Sequence, residues 1–279
     1  MGNKISIGII LYKNDEAETS RCFQSIQRQL SLDVVIEILI RDQGGGDCRP
    51  AVENWLERHP LPIPCRFSEG ENLGFGGGHN LLFSQRNPAA TAYLCLNPDG
   101  AMHPECLGSM IEKLDKTNGR GIYEARQEPI MHPKFYDPQS EATAWCSGAC
   151  VLIPCDIYQA ISGFDEDFFL YCEDVGLSWR VKAAGHGCYT CANALFLHYS
   201  VDRSNREVEI WRSACILAHK WRARDFKEMA LNVLKGLIDI DHDQITRDIE
   251  KHQQHELELV YRAKPDFKHG LHFSHPMWA

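Results

Sequence analysis

Between residues 5 and 116 the hydrophobic period of the chain switches repeatedly, and this alternation limits the fold more than any other feature. Ile5–Leu11 is a continuous apolar run of strand length, and Glu16–Leu30 carries Cys22, Ile26 and Leu30 at helical spacing. Val34–Ile40 is a second β-branched run, Ala51–Arg58 a short helix and Cys65–Phe67 a short strand. Gly78–Gln85 reads as a helix start, Ala92–Leu96 as a strand and Pro104–Lys116 as a helix. Strands alternating with helices predict an α/β layer built on a mostly parallel sheet. Such a sheet is covered on both faces, so its strands are uniformly apolar rather than alternating.

The later chain is less regular. Ile122–Ala144 is rich in Pro, His, Gln and Asp and reads as a long irregular excursion, a kind of segment that is usually functional. Order resumes with a strand at Ala149–Ile153 and a helix to Ile161, followed by the acidic segment Gly163–Asp174. A helix over Glu173–Ala184 stops at Gly185, and Leu195–His198 is a last short strand. Glu207–Gly236 and Gln244–Tyr261 read as helical.

Charge and cysteine usage exclude several classes. The 279 residues include 29 basic and 38 acidic side chains, for a net charge of −9, which argues against a nucleic-acid partner. The twelve cysteines scatter through apolar segments and read as reduced core thiols in a cytoplasmic protein. Cys188 and Cys191 are either half of a zinc site or two thiols in one strand, and no second pair follows at zinc spacing. No apolar run approaches the roughly 20 residues of a membrane helix, so membrane contact is expected to be at most peripheral, at the inner face. Met1-Gly2-Asn3-Lys4-Ile5-Ser6 formally fits a myristoylation pattern but runs straight into a core strand. Ile210–Arg224 sets Arg212, Lys220, Arg222 and Arg224 among Trp211, Ile216 and Trp221. Such a stretch either faces a membrane or packs on the core, and packing is the commoner outcome.

Ligands of open α/β sheets bind beyond the carboxyl ends of the strands, which directs attention to four places. Strand one ends in Leu11-Tyr12-Lys13-Asn14; strand two ends in Arg41-Asp42-Gln43, before three glycines. Asp42 is either an acceptor for a ribose hydroxyl or base N–H, or part of a polar turn. Asn72-Leu-Gly-Phe-Gly-Gly-Gly-His-Asn80 packs four glycines into five positions. These glycines either bring N–H groups close to a ligand at a helix start or form a flexible loop. Leu96-Asn97-Pro98-Asp99 places a hard oxygen donor where a cation shared with phosphates can sit, though the same residues suit a turn. In Gly163–Asp174 five carboxylates lie among Phe164, Phe168, Phe169 and Tyr171. Carboxylates against apolar walls have shifted protonation and can act as general bases.

Taken in order, these segments resemble the family 2 glycosyltransferases of the GT-A fold, and within them the bacterial rhamnosyltransferase-like branch. The matching pieces span residues 5–200: Ile5–Asn14, Asp42, the 72–80 glycine segment, Leu96–Asp99, Ser147-Gly-Ala149, Gly163–Phe169, Tyr171-Cys-Glu-Asp174, Trp179-Arg180 and His198. The resemblance implies a GT-A (Rossmann-like) sheet over residues 1–205, with nucleotide-sugar binding in 1–100 and the acceptor and catalytic half in 101–205. Residues 206–279 follow as a helical extension. It implies that Tyr12, Asn14, Asp42, Asn72, Gly74, Gly78, Asn80, Asn97 and Asp99 contact the donor. Asp99 takes the last position of a DxD-type motif and His198 completes the coordination of Mn²⁺ or Mg²⁺; Asn97 replaces the motif's first carboxylate by an amide. Asp174 resembles the catalytic base, with Glu173 as the fallback. Trp145, Ser147, Gly148, Asp165, Phe169 and Tyr171 are expected to line the acceptor and sugar pocket. Gly176 stands where the family usually has an acid, and Gln43-Gly44-Gly45-Gly46 replaces its usual Asn-Gly-Ser turn.

The expected reaction is inverting transfer from a dTDP- or UDP-sugar, dTDP-rhamnose among the candidates, to a glycan or lipid-linked hydroxyl in cell-surface polysaccharide synthesis. The rival reading is a catalytically silent sugar- or nucleotide-binding protein on the same scaffold. A nucleotidyltransferase would need a Gly-rich, Arg-containing loop after strand one, and a serine hydrolase a Gly-x-Ser-x-Gly elbow; neither is present.

Overall fold

The structure is a computed structural model that describes residues 2–129, 134–198, 206–238 and 242–268. It opens with β1 (Ile5–Leu11), α1 (Glu16–Gln29), β2 (Val35–Asp42), α2 (Arg49–Arg58), β3 (Cys65–Glu69), α3 (Gly74–Ser84) and β4 (Ala92–Leu96). It continues with β5 (Gly100–Met102), α4 (Cys106–Lys116), β6 (Gly121–Glu128), β7 (Cys150–Pro154), α5 (Cys155–Ala160), α6 (Glu173–Ala183) and β8 (Gly187–His198). The last described elements are α7 (Glu207–Lys220), α8 (Arg224–Leu237), α9 (His242–Glu250) and α10 (Leu257–Ala263). Local chemistry sets several boundaries. Asp15 caps α1 by accepting the Glu18 N–H while Glu18 reaches back to the Asp15 N–H, so two orphan donors are satisfied at once.

The strands form one sheet in the order β3-β2-β1-β4-β7-β6-β8-β5. The first four strands are parallel, and the sheet then becomes mixed: β7 runs antiparallel to both β4 and β6, while β8 is parallel to β6. The chain winds outward from β1 to β3 and then returns to place β4 on the other side of β1. That reversal is the switch point at which open α/β sheets bind ligands. Ile5, Ile7, Ile9, Leu11, Ile38 and Ile40 are buried in one cluster with Phe23 and Ile26 of α1, Val52 and Trp55 of α2, and Leu107 and Met110 of α4.

The structure departs from the sequence expectation in five places. Helix α3 starts at Gly74, not Gly78, so the glycine cluster is helical and buried rather than a loop. The segment read as irregular from Ile122 begins as β6; its Glu124 and Gln127 are buried and hydrogen-bonded, so their polarity belongs to a site rather than to a loop. Strand β8 is twelve residues long, and β5 is an additional short strand paired with its end. The helical stretch from Glu207 breaks at residues 221–223 into α7 and α8. The stretch from Gln244 divides into α9 and α10. The expected boundary at 205 lies outside the described residues.

All twelve cysteines are free thiols and eleven are buried, with Cys188 and Cys191 inside β8. Helix α7 packs on the core, with Ile210, Ile216, Lys220 and Trp221 buried. The helices after residue 206 share one apolar cluster with Trp145, Phe168, Val175 and Trp179. Among the described residues no helix is long and apolar enough to cross a membrane.

Candidate active site

Asp99 follows β4, and His198 ends β8 on the same edge of the sheet, because Gly100 of β5 pairs with His198. His198 Nε2 lies 3.1 Å from Asp99 Oδ1, and its Nδ1 lies 2.9 Å from Gln127 Oε1 on β6. Gln127 Nε2 donates to Ser147 Oγ at 2.8 Å. Burial works to raise the Asp99 carboxyl, but the hydrogen bond and charge of His198 outweigh it and hold the carboxyl below its ordinary value. A carboxylate oxygen suits either Mn²⁺ or Mg²⁺, while the imidazole nitrogen is better matched to Mn²⁺, the softer of the two. Their spacing matches two adjacent ligands of an octahedral ion, about 3 Å apart for bonds of about 2.1 Å. Among the described residues no three His, Cys, Asp or Glu side chains converge to hold a metal unaided, so ligand oxygens would have to complete the shell. Asn97 lies two residues before Asp99 and donates its backbone N–H to Ala149 O at 2.8 Å.

Ser147 and Gly148, just before β7, connect this chain to the carboxylate pair on α6. The Gly148 N–H donates to Asp174 Oδ2 at 3.0 Å, and the Ser147 N–H donates to Glu124 Oε2 at 2.5 Å. Burial raises the Asp174 carboxyl, against the N–H groups of Gly148 and Val175, which lower it. Glu173 is pushed well above its ordinary value by burial and then by the charge of Asp174, and its Oε2 has no partner. Asp174 is half-buried whereas Glu173 is 5% exposed, so Asp174 is the more accessible of the two. Glu124 is held by Lys134 Nζ at 2.6 Å, and that ammonium also lies 4.1 Å from the centre of the Trp145 ring. Trp145 itself is buried in the core.

At the other side of the switch point, Tyr12 is exposed, with Lys13 Nζ 5.4 Å from its ring centre; Asn14 Oδ1 accepts the Tyr12 N–H. Asp42 is fully buried, and its two oxygens accept the N–H groups of Gly44 (2.7 Å) and Cys48 (2.8 Å). It shapes the 43–48 loop. The neighbouring Gln43 is the less obvious organiser: its Nε2 donates to Asn72 Oδ1 and Gly74 O, and its Oε1 accepts the Leu73 N–H. The glycines of α3 serve close packing. A Cβ on Gly74, whose φ is +72°, would fall 2.1 Å from Phe169 O, and one on Gly78 would fall 2.9 Å from Ile10 Cδ1. Asn80 fastens the acidic segment, accepting from the Phe164 N–H and Tyr158 OH and donating to Phe164 O and Glu166.

That acidic segment is anchored on three sides. Phe75 N–H of α3 donates to Phe169 O at 3.0 Å, and Ser213 Oγ of α7 donates to Leu170 O at 2.7 Å. Lys220 Nζ of α7 pairs with Asp165 Oδ2 at 2.7 Å and with Asp167. Phe168 is core, while Phe169 projects into solvent and Tyr171 is half-buried with its OH 3.5 Å from Arg206 Nη1. Of the expected residues, Asp99 and His198 meet directly; Ser147 and Gly148 join that pair to Asp174; Gly74, Gly78 and Asn80 are taken up in packing. Sequence reasoning missed Gln127, Glu124 and Lys134, and named Gln43 and Lys220 without the partners the structure gives them. The available signal was polarity inside otherwise apolar strands and helices.

A family model for glycosyl transferase family 2 matches residues 6–175. N-acetylglucosaminyl-diphospho-decaprenol L-rhamnosyltransferase of Mycobacterium tuberculosis is 23% identical over 224 residues, 64% of this chain and 71% of that protein. Rhamnosyltransferase WbbL of Escherichia coli is 24% identical over 168 residues, 48% of this chain and 64% of that protein. Among solved structures, the mannosyltransferase PcManGT from Pyrobaculum calidifontis, in complex with GDP-Man and Mn²⁺, matches with a TM-score of 0.61 at 14% identity. That match covers 94% of this chain and 86% of the other. It shows the fold to be that of the GT-A glycosyltransferases.

Proposed function

The chain belongs to glycosyl transferase family 2, and from that premise we propose that it is an inverting, metal-dependent enzyme that moves a sugar from a dTDP- or UDP-sugar to a hydroxyl of a glycan or lipid-linked acceptor. Cell-surface polysaccharide synthesis is the proposed setting, and dTDP-rhamnose is the first donor to try, in keeping with the two rhamnosyltransferases among the relatives. One observation carries the reading. The adjacent residues Ser147 and Gly148 join two chemically different centres at one end of the sheet: the Asp99–His198 pair through Gln127, and the Asp174 carboxylate directly.

Asp99 and His198 would hold Mn²⁺ or Mg²⁺. The bound cation supplies positive charge against the leaving diphosphate. Asp174 Oδ accepts the proton of the acceptor hydroxyl as that oxygen attacks the anomeric carbon from the face opposite the leaving group. A burial-raised carboxyl is a stronger base than an exposed aspartate, which suits the task. The Gly148 N–H orients Asp174, and the exposed Phe169 offers an aromatic face to sugar or acceptor. The Asp42-capped loop and Tyr12 border the nucleotide side.

Thermal stability against UDP, dTDP and GDP, each with and without Mn²⁺, tests the donor assignment. A ligand at about 100 times its Kd stabilises by about 2.7 kcal/mol, a shift of several degrees. A metal-dependent shift for one nucleotide, lost in Asp99→Ala, is expected. Product analysis with the matching sugar then reads the anomeric configuration. No shift with any nucleotide in folded protein refutes the donor site.

A further inference from the structure

We infer that Gln127 is a positioning residue that holds His198 as the Nδ1–H tautomer, so that Nε2 presents a lone pair beside Asp99 to a divalent cation. The inference deepens the metal reading above and rests on it.

The sheet places the two side chains together. Gln127 pairs with Phe196 across the parallel β6–β8 ladder, and Phe196 and His198 share a face because they are two residues apart. Gln127 is 5% exposed and His198 9%, so solvent competes little for their hydrogen bonds. Ser147 Oγ accepts the Gln127 amide at 2.8 Å and the Ala149 N–H at 3.4 Å. An amide whose nitrogen is given to Ser147 turns its oxygen to His198, 2.9 Å from Nδ1. An amide oxygen only accepts, so Nδ1 carries the hydrogen. The neutral ring then has its lone pair on Nε2, 3.1 Å from the Asp99 carboxylate. Two acceptors at that distance repel unless a proton or a metal cation lies between them; without metal an Nε2 proton makes the hydrogen bond that holds the Asp99 carboxyl down, and a bound cation would take that proton's place. Metal-ligating histidines are commonly held in this way by an acceptor on the far nitrogen. A glutamine buried in a strand without such a task would carry only the desolvation cost of its amide.

The test combines spectroscopy on the cation-free protein with Mn²⁺ binding. In ¹⁵N-histidine-labelled protein at about pH 8, where exposed histidines are neutral, long-range ¹H–¹⁵N correlations are expected to place the His198 proton on Nδ1. The His198→Asn variant identifies the resonance. Calorimetry of Mn²⁺ in the presence of UDP or dTDP is expected to show affinity weakened about 10- to 100-fold in Gln127→Met. Gln127→Glu keeps an acceptor facing Nδ1, with the Ser147 hydroxyl turned to donate, and is expected to restore both the tautomer and the affinity. A wild-type ring whose only proton is on Nε2 overturns the inference, because the amide would then be reversed and Nδ1 would accept from it. Gln127→Met protein that folds and binds Mn²⁺ as the wild type does also overturns it. Wild-type protein with Nδ1–H but no Mn²⁺ binding to any nucleotide complex instead overturns the metal reading and leaves the tautomer assignment standing.

Discussion

Replacing Lys220 by Met tests whether the C-terminal helices hold the acidic segment in place. Lys220 is 6% exposed and pairs with Asp165 (16% exposed) and Asp167 (41% exposed). Removing one partner of a fully buried ion pair costs about 3–5 kcal/mol. The Asp165 pair is nearly buried and falls in the lower part of that range, whereas the Asp167 pair is screened and adds less than about 1 kcal/mol. Met keeps the apolar stem near the Phe168 ring, so little packing is lost. The expected loss is about 3–4 kcal/mol, or about 6–8 °C in Tm for a chain of this length. Chemical denaturation and calorimetry read it. Asp165→Asn in the Lys220→Met background should cost less than in the wild type, with a coupling of about 0.5–3 kcal/mol. The acceptor KM should rise while nucleotide affinity holds, if the segment lines the acceptor side as proposed above. A loss below about 1 kcal/mol with strictly additive substitutions would refute the reasoning, leaving Lys220 as a surface charge with a covered stem.

Asp174→Asn keeps an acceptor for the Gly148 N–H but cannot take a proton; kcat should fall about 10²- to 10⁴-fold with nucleotide binding intact, as stopped assays and calorimetry would show. Because burial raises the Asp174 carboxyl, the acid limb of the kcat/KM profile should lie above the ordinary aspartate range, and activity should fall as pH drops through it. His79 is fully buried, and burial lowers its pKa from 6.5 to about 3. Between those values the unfolded chain binds the extra proton, so this group's contribution falls as pH drops below 6.5, by at most about 1.4 kcal/mol per pH unit. Denaturation midpoints from pH 7 to 4 should therefore fall less steeply in His79→Gln. Gly74→Ala forces a side chain into left-handed backbone and against Phe169 O; about 2–4 kcal/mol should be lost, with the Phe75–Phe169 hydrogen bond broken, as hydrogen exchange at Phe75 would report.

The first half of the fold was legible because its signals are local. Each apolar run from Ile5 to Leu96 is long enough to be a strand, and each intervening segment carries helical spacing or a cap such as Asp15 with Glu18. Reading failed where polar residues entered the sheet. Glu124 and Gln127 made β6 look like a loop, because their partners Lys134, Ser147 and His198 are distant in sequence. The glycine segment failed for a related reason: glycines lower helix propensity, and only the packed neighbours Phe169, Phe164 and Ile10 make them necessary in α3.

By itself the sequence determined the α/β alternation, the family resemblance and the nature of the acid-bearing segments, because hydrophobic period and short motifs are written in neighbouring residues. Tertiary structure alone decided which of those groups meet. It spent Asp42 on backbone N–H groups, brought Asp99 against His198 across ninety-nine positions, and set Lys220 of the C-terminal helices beneath Asp165. Burial and hydrogen-bond partners depend on how the sheet is ordered and crossed, and no local pattern carries that order.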